Sequence, residues 1–218
     1  MKPTTFIIAG GGTGGHLFPG IAICRELEAR FPGCKILFAV GHRKMESDIL
    51  KRHGFEVRHL SVEGIKGKGW MKKMRSLSCL PMSFLQAGRL IAETKPSCVI
   101  GMGGYSSGPV CVAARFSGVA SLIHEQNSFP GLTNRLLCRL VDRVCISFED
   151  SASRFLGGKI VVTGNPVREE FFMVGKDVSS PRHGVTLLVV GGSLGSRPVN
   201  DAVVDSLSLL KKRGVLPA

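Results

Sequence analysis

Three glycine-rich turns, each directly after an apolar run, constrain this chain more than any other feature. They read AGGGTGGH at Ala9–His16, GMGGYSSGP at Gly101–Pro109 and GGSLGSR at Gly191–Arg197. The runs before them are Thr5-Phe6-Ile7-Ile8, Cys98-Val99-Ile100 and Thr186-Leu187-Leu188-Val189-Val190. A strand that ends in glycines and passes into a helix leaves backbone N–H groups unpaired at the helix's positive end, where phosphate can be held. One such turn is weak evidence. Three, with a His-Glu pair between the second and third, predict a site for a large ligand that carries phosphates.

Apolar strand-like and amphipathic helix-like segments alternate between these turns. Strands are expected at Thr4–Ala9, Lys35–Val40, Glu56–Leu60, Ser97–Gly101, Ala120–His124, Arg143–Ile146 and Ile160–Thr163. Helices are expected near Phe18–Arg30, Arg43–Arg52, Pro81–Thr94, Pro109–Ser117, Gly131–Leu140 and Phe148–Phe155. Short, uniformly apolar strands fit a sheet covered on both faces. The alternation predicts an α/β fold with a doubly wound parallel sheet that binds ligands at the carboxyl ends of its strands. The pattern breaks after Gly164, where Asn165-Pro166, Arg168-Glu169-Glu170 and Ser179-Ser180-Pro181 follow one another. Residues 1–164 are therefore expected to form one Rossmann-like domain and residues 165–184 a linker. Residues 185–218 would begin a second domain, with a strand at Val185–Val190 and a helix near Val199–Lys212. One strand and one helix cannot bury a core alone.

Charge narrows the partners. The chain has a formal net charge of +13, and Gly41–Leu80 contributes ten Lys or Arg against four Asp or Glu. Lys66, Lys68, Lys72, Lys73 and Arg75 surround Trp70 and Met71, and Leu77, Leu80, Met82, Phe84 and Leu85 follow. Cationic side chains beside large apolar ones suit an anionic membrane surface. Nucleic acid is the rival partner, but one Trp and one Tyr supply few stacking platforms, so none is expected. No apolar run nears the roughly 18 residues of a spanning helix, and the N-terminus lacks the pattern of a secretory signal. Seven cysteines without a C-x-x-C pair read as reduced, mostly buried thiols of a cytosolic protein. The histidines are scattered, so neither a metal nor another cofactor is expected.

Individual residues admit rival readings. Gly10, Gly12 and Gly15 match G-x-G-x-x-G, so an NADP-dependent oxidoreductase is one alternative. Yet the segment Ala39–Lys44 after the second strand lacks the ribose-binding carboxylate, leaving Arg43 and Lys44 as candidates for a 2′-phosphate. Tight turning and helix–strand packing would also require these glycines. His16, at the mouth of the first helix, can donate a hydrogen bond or act as a base; capping local backbone is the plainer reading. His124-Glu125-Gln126-Asn127 closes a strand at the ligand edge. Glu125 there can accept a proton while Gln126 and Asn127 read sugar oxygens, or all four can form a polar turn. Arg168 can reach a diphosphate or pair with Glu169 or Glu170, and Ser193 can hold phosphate or cap a helix.

Together GGTGGHLFPG, GMGGYSSGP, HEQN, GNPVR and GGSLGSR resemble, in order and spacing, the MurG family of bacterial peptidoglycan N-acetylglucosaminyltransferases. The resemblance runs from about Thr5 to at least Asn200. It implies two Rossmann-like domains in the GT-B arrangement and a peripheral place on the cytoplasmic face of the cell membrane. The implied reaction is inverting transfer of N-acetylglucosamine from UDP-N-acetylglucosamine to the 4-hydroxyl of undecaprenyl-pyrophosphoryl-N-acetylmuramoyl-pentapeptide. Thr13, Gly14 and Gly15 would then line the substrate cleft beside His16. Gly103, Gly104 and Tyr105 would lie near the lipid-linked acceptor. His16 or Glu125 would be the base, Asn127 would touch the donor sugar, and Arg168 and Ser193 would help bind UDP-N-acetylglucosamine. Family members continue well past residue 218, so the chain is expected to be a truncated form with most of the nucleotide side missing. A non-catalytic lipid-binding remnant is the matching alternative.

Overall fold

Seven parallel strands form a single sheet in the computed structural model, which describes residues 3–12, 14–62, 79–157, 159–173, 187–191 and 195–214. They are β1 (Thr5–Gly10), β2 (Lys35–Val40), β3 (Glu56–His59), β4 (Cys98–Gly103), β5 (Ala120–Glu125), β6 (Arg143–Ile146) and β7 (Ile160–Val162). The spatial order is β3-β2-β1-β4-β5-β6-β7. The order reverses between β1 and β4, the place where doubly wound sheets open a ligand crevice. The first and second glycine turns leave these two strands.

Alternation along each strand divides the core into two layers. Phe6, Ile8, Phe38, Val40, Ile100 and Met102 face α1 (Gly14–Arg30) and α2 (Lys44–Arg52), where Leu17, Ile21, Cys24 and Leu50 meet them. Ile7, Ala9, Val99, Ile123 and Val144 face α3 (Leu80–Thr94), α4 (Ser107–Phe116) and α5 (Leu132–Leu137) through Leu90, Val110, Ala114 and Leu137. β1 is buried throughout, whereas the edge strands β3 and β7 expose part of their length. Gly20 sets the spacing on one face, because a Cβ there would already touch Ile8, Phe38 and Met102 at 3.4 Å.

The structure departs from expectation in a few places. α1 begins at Gly14 rather than Phe18 and carries Pro19 inside it. Burial of Leu17 against the sheet outweighs the poor helix propensity of the two glycines. α5 stops at Leu137, and the segment expected as a helix near Phe148–Phe155 is a 3-10 turn, Glu149–Arg154. On the outer face of α3, Met82, Phe84 and Leu85 are exposed. A shallow apolar groove of about 680 Å³ lies there, lined by Pro81, Phe84, Leu85, Gly88, Arg89 and Ala92. The basic cluster Lys66–Arg75, with Trp70, lies outside the described residues. No helix among the described residues is long and apolar enough to cross a membrane.

The chain divides into two compact units, Met1–Val174 and Gly175–Ala218. The first contains the whole sheet and ends with a single turn, α6 (Glu170–Met173). In the second, Leu187–Val190 are exposed and pair with no strand among the described residues. α7 (Arg197–Lys212) follows and has no buried residue.

Candidate active site

The first two glycine turns touch. Gly104 adopts φ +79°, and a Cβ there would overlap the Gly11 carbonyl oxygen, so only glycine fits between the loops. Gly10 packs equally closely, since its Cβ would lie 2.6 Å from the Cβ of Met102. The buried Ser107 hydroxyl accepts the Gly103 N–H (3.0 Å) and lies within donating distance of both the Ala9 and Gly103 carbonyls (2.5 and 2.8 Å). One side chain thus ties the ends of β1 and β4 together.

α2 clamps the first loop from the other side. The Gly12 N–H donates to Glu46 Oε1 (2.8 Å), and the Arg43 guanidinium donates to the Gly12 carbonyl (2.6 Å). Glu46 is buried. A carboxylate does lie near the end of β2, but it comes from the first turn of α2 and holds the loop rather than facing a ribose. It also takes the N–H of Gly12, the fingerprint glycine whose backbone would approach a dinucleotide pyrophosphate, which counts against the NADP alternative. The first-turn amides of α1, which starts at Gly14, have no intrahelical acceptor.

His16 stands in that first turn, half-buried, with Nδ1 2.9 Å from Gln126 Oε1. The Gln126 amide nitrogen faces the Met102 carbonyl (3.2 Å), the His124 carbonyl (3.2 Å) and His124 Nδ1 (3.1 Å). His124 Nε2 in turn lies 3.0 Å from the Gly164 carbonyl. Burial pushes the His124 pKa below the ordinary histidine value, with the Gly164 bond and the Glu125 charge opposing that shift. The first turn, the second turn, the HEQN segment and the start of the GNPVR segment therefore meet at the switch point of one sheet.

Glu125, the other candidate base, is held differently from His16. It is buried, and both oxygens are taken by protein donors. Oε1 accepts from the Asn127 N–H and side-chain amide (3.0 Å each), and Oε2 from the Gly131 N–H (3.0 Å) and Asn134 Nδ2 (2.9 Å). Asn127 is exposed immediately beyond β5. Tyr105 is partly buried against the core. The Arg168 guanidinium stacks on the Phe18 ring at 4.7 Å and on Phe171 at 5.1 Å, which brings it beside α1. Among the described residues it forms no ion pair with Glu169 or Glu170. Thr13 and Ser193 lie outside the described residues. Gly191 and Gly195 flank the third turn, where a Cβ on Gly191 would lie 2.7 Å from the Ser196 nitrogen.

Glu46, Ser107 and Asn134 have positions here that sequence reading did not assign. Only Glu46 left a trace: it sits at the third position of a helix, the place from which a Glu usually reaches back to its own helix cap.

A doubly wound domain with paired glycine turns at its switch point is a Rossmann-type unit, the kind from which two-domain GT-B glycosyltransferases are built. Residues 6–146 match the model of the glycosyltransferase family 28 N-terminal domain, and the chain belongs to that family. Two relatives carry the name UDP-N-acetylglucosamine–N-acetylmuramyl-(pentapeptide) pyrophosphoryl-undecaprenol N-acetylglucosamine transferase. The one from Desulfotalea psychrophila is 46% identical over 209 residues, covering 94% of this chain and 57% of the relative. The one from Syntrophus aciditrophicus is 47% identical over 205 residues, again 94% of this chain and 57% of the relative. Acinetobacter baumannii MurG is structurally similar, with a TM-score of 0.70 at 30% identity, over 91% of this chain and 55% of that one. The chain thus spans a little over half the length of the relatives it matches.

Proposed function

We propose that this chain contributes the acceptor half of an inverting N-acetylglucosaminyltransferase. The donor would be UDP-N-acetylglucosamine and the acceptor the 4-hydroxyl of undecaprenyl-pyrophosphoryl-N-acetylmuramoyl-pentapeptide. The observation that carries the reading is the 2.9 Å contact between His16 and Gln126, which joins the first glycine turn to the HEQN segment beside the second turn. Relatives at 46% and 47% identity named for this transfer support the substrate assignment.

In this reading His16 is the base. It is half-buried beside amides at a helix start, whereas the carboxylate of Glu125 is enclosed by four N–H donors. The imidazole takes the proton from the acceptor hydroxyl as that oxygen forms its bond to C1 of the donor sugar. The bond from C1 to the diphosphate oxygen breaks on the opposite face, and UDP leaves with the electron pair. Negative charge grows on the departing diphosphate, where helix-start amides and an arginine stabilise it. Arg168, beside Phe18 of α1, is our candidate for that arginine, with Thr13 and Ser193 as further phosphate contacts and Asn127 on the donor sugar. Gly14, Gly15, Gly103, Gly104 and Tyr105 border the acceptor pyrophosphate. Glu125 acts by bracing the turn that carries Asn127.

Residues 1–164 form the acceptor domain in this proposal, residues 165–184 the linker and residues 185–218 the beginning of the nucleotide domain. The exposed Met82, Phe84 and Leu85 on α3, next in sequence to the basic cluster, would rest on the anionic cytoplasmic face of the cell membrane. The test is UDP release from UDP-N-acetylglucosamine with the lipid-linked acceptor, in protein carrying this sequence, with and without His16→Ala. Loss of a general base lowers turnover by roughly 10²–10⁴-fold. Undiminished turnover in the variant would reject His16 as the base, and no turnover in either would favour an acceptor-binding role without catalysis.

A further inference from the structure

We propose that Gln126 is a positioning residue that fixes the tautomer of His16, keeping its proton on Nδ1 and leaving Nε2 as the basic nitrogen. The argument starts from the buried carboxamide. Its nitrogen faces two carbonyl oxygens, of Met102 and His124, and the Nδ1 atom of His124, all within 3.2 Å. The two carbonyls can only accept, whatever the tautomer of His124. Rotating the amide by half a turn would press Oε1 against both, so the carboxamide has one workable orientation. That orientation presents Oε1, which can only accept, to His16 Nδ1 at 2.9 Å. Nδ1 of His16 must therefore carry the proton.

His124 is set the opposite way. Its Nε2 lies 3.0 Å from the Gly164 carbonyl, which can only accept, so in the neutral ring the proton is on Nε2 and the bare Nδ1 faces the Gln126 amide nitrogen. Two histidines on either side of one glutamine are thus held in opposite tautomers. The order along the chain of bonds is Gly164 carbonyl, His124, Gln126, His16. Gln126 is itself buried, with both ends of its amide engaged inside the domain, so its place is behind the base rather than on the sugar. A histidine side chain free in water carries its proton predominantly on Nε2, the wrong nitrogen for a base that must present Nε2 as its lone pair. The catalytic consequence rests on the reading of His16 as the base; the tautomer assignment does not.

The test is a long-range proton–nitrogen correlation spectrum of the nitrogen-15-labelled chain at about pH 8, above the ordinary histidine range. His16→Gln and His124→Asn variants assign the two rings. The expected spectrum shows a protonated Nδ1 and an unprotonated Nε2 for His16, and the reverse for His124. An unprotonated Nδ1 on His16 overturns the proposal. In Gln126→Met the His16 proton is expected to move to Nε2; a folded variant that keeps Nδ1–H overturns the role of Gln126. Should that variant not fold, the wild-type spectrum still decides. No substrate is needed, so a failed transfer assay leaves the tautomer result standing, and a wrong tautomer sinks it even where His16 proves essential.

Discussion

Glu125→Gln separates a brace from a base. The substitution keeps the shape of the side chain but turns one of its two acceptor oxygens into a donor. Four N–H groups point at the native carboxylate, two on each oxygen. The new NH2 group will take the side where disruption costs least, facing Asn127, which is exposed and can turn to water. Two hydrogen bonds to a charged group are lost there. At about 1–2 kcal/mol each for donors with partial access to solvent, the sum is about 2–4 kcal/mol. For a chain of this length about 1 kcal/mol corresponds to ~2–4 °C, so the melting temperature should fall by roughly 5–15 °C. Scanning calorimetry on the purified chain measures this directly. A catalytic carboxylate with free oxygens would instead tolerate the isosteric change within about 0.5 kcal/mol, or ~2 °C. A melting temperature unchanged within that margin would refute the bracing argument and return Glu125 to the list of bases.

Two further outcomes follow from the same geometry. Gly104→Ala combines φ +79° with overlap on the Gly11 carbonyl, whereas Gly118→Ala has φ +68° and open space. Gly118→Ala should cost only the backbone term of about 1–2 kcal/mol and Gly104→Ala clearly more, by urea unfolding; equal losses would show that the loops do not need their close approach. Stability should also depend on pH through His124. Its folded pKa lies below the ordinary value of 6.5, so the unfolded chain takes up a proton that the fold resists. The stability this residue contributes is complete above pH 6.5 and declines as pH falls from there toward the folded pKa. The urea midpoint should drop less on acidification in His124→Asn than in the wild type, and identical slopes would refute the assignment.

Local signals in the sequence sufficed for the scaffold. β2 and β6 end with their apolar runs and begin one residue before them, at the exposed Lys35 and Arg143, because a buried parallel strand needs apolar residues on both faces. The first helix was harder. Gly14, Gly15 and Pro19 all argue locally for a start at Phe18, and only packing of Leu17 beneath the sheet carries the helix back to Gly14. The site was legible as a set of places but not as a set of partners. His16 and HEQN stood out by residue type at strand ends. Their contact spans 110 residues, that of Ser107 with Ala9 spans 98, and that of Gly12 with Glu46 spans 34. No periodicity encodes such pairs; they arise when β1, β4 and β5 become neighbours. Glu125 shows the consequence, for the sequence carries no mark of the four donors that enclose its carboxylate.

Every bond that orients His16 has both ends within Met1–Val174. If His16 is the base as proposed, its ordering cost is therefore met when this unit folds. Met102 supplies a carbonyl to Gln126 while its side chain is fully buried beside Ile8 and Phe38, so the amide is fixed by the same strand that builds the core. A base tied to the core in this way does not need a closing motion to choose its tautomer. Under the proposed function, what remains is to bring the donor's anomeric carbon to the right distance, a positioning task separate from the histidine's protonation.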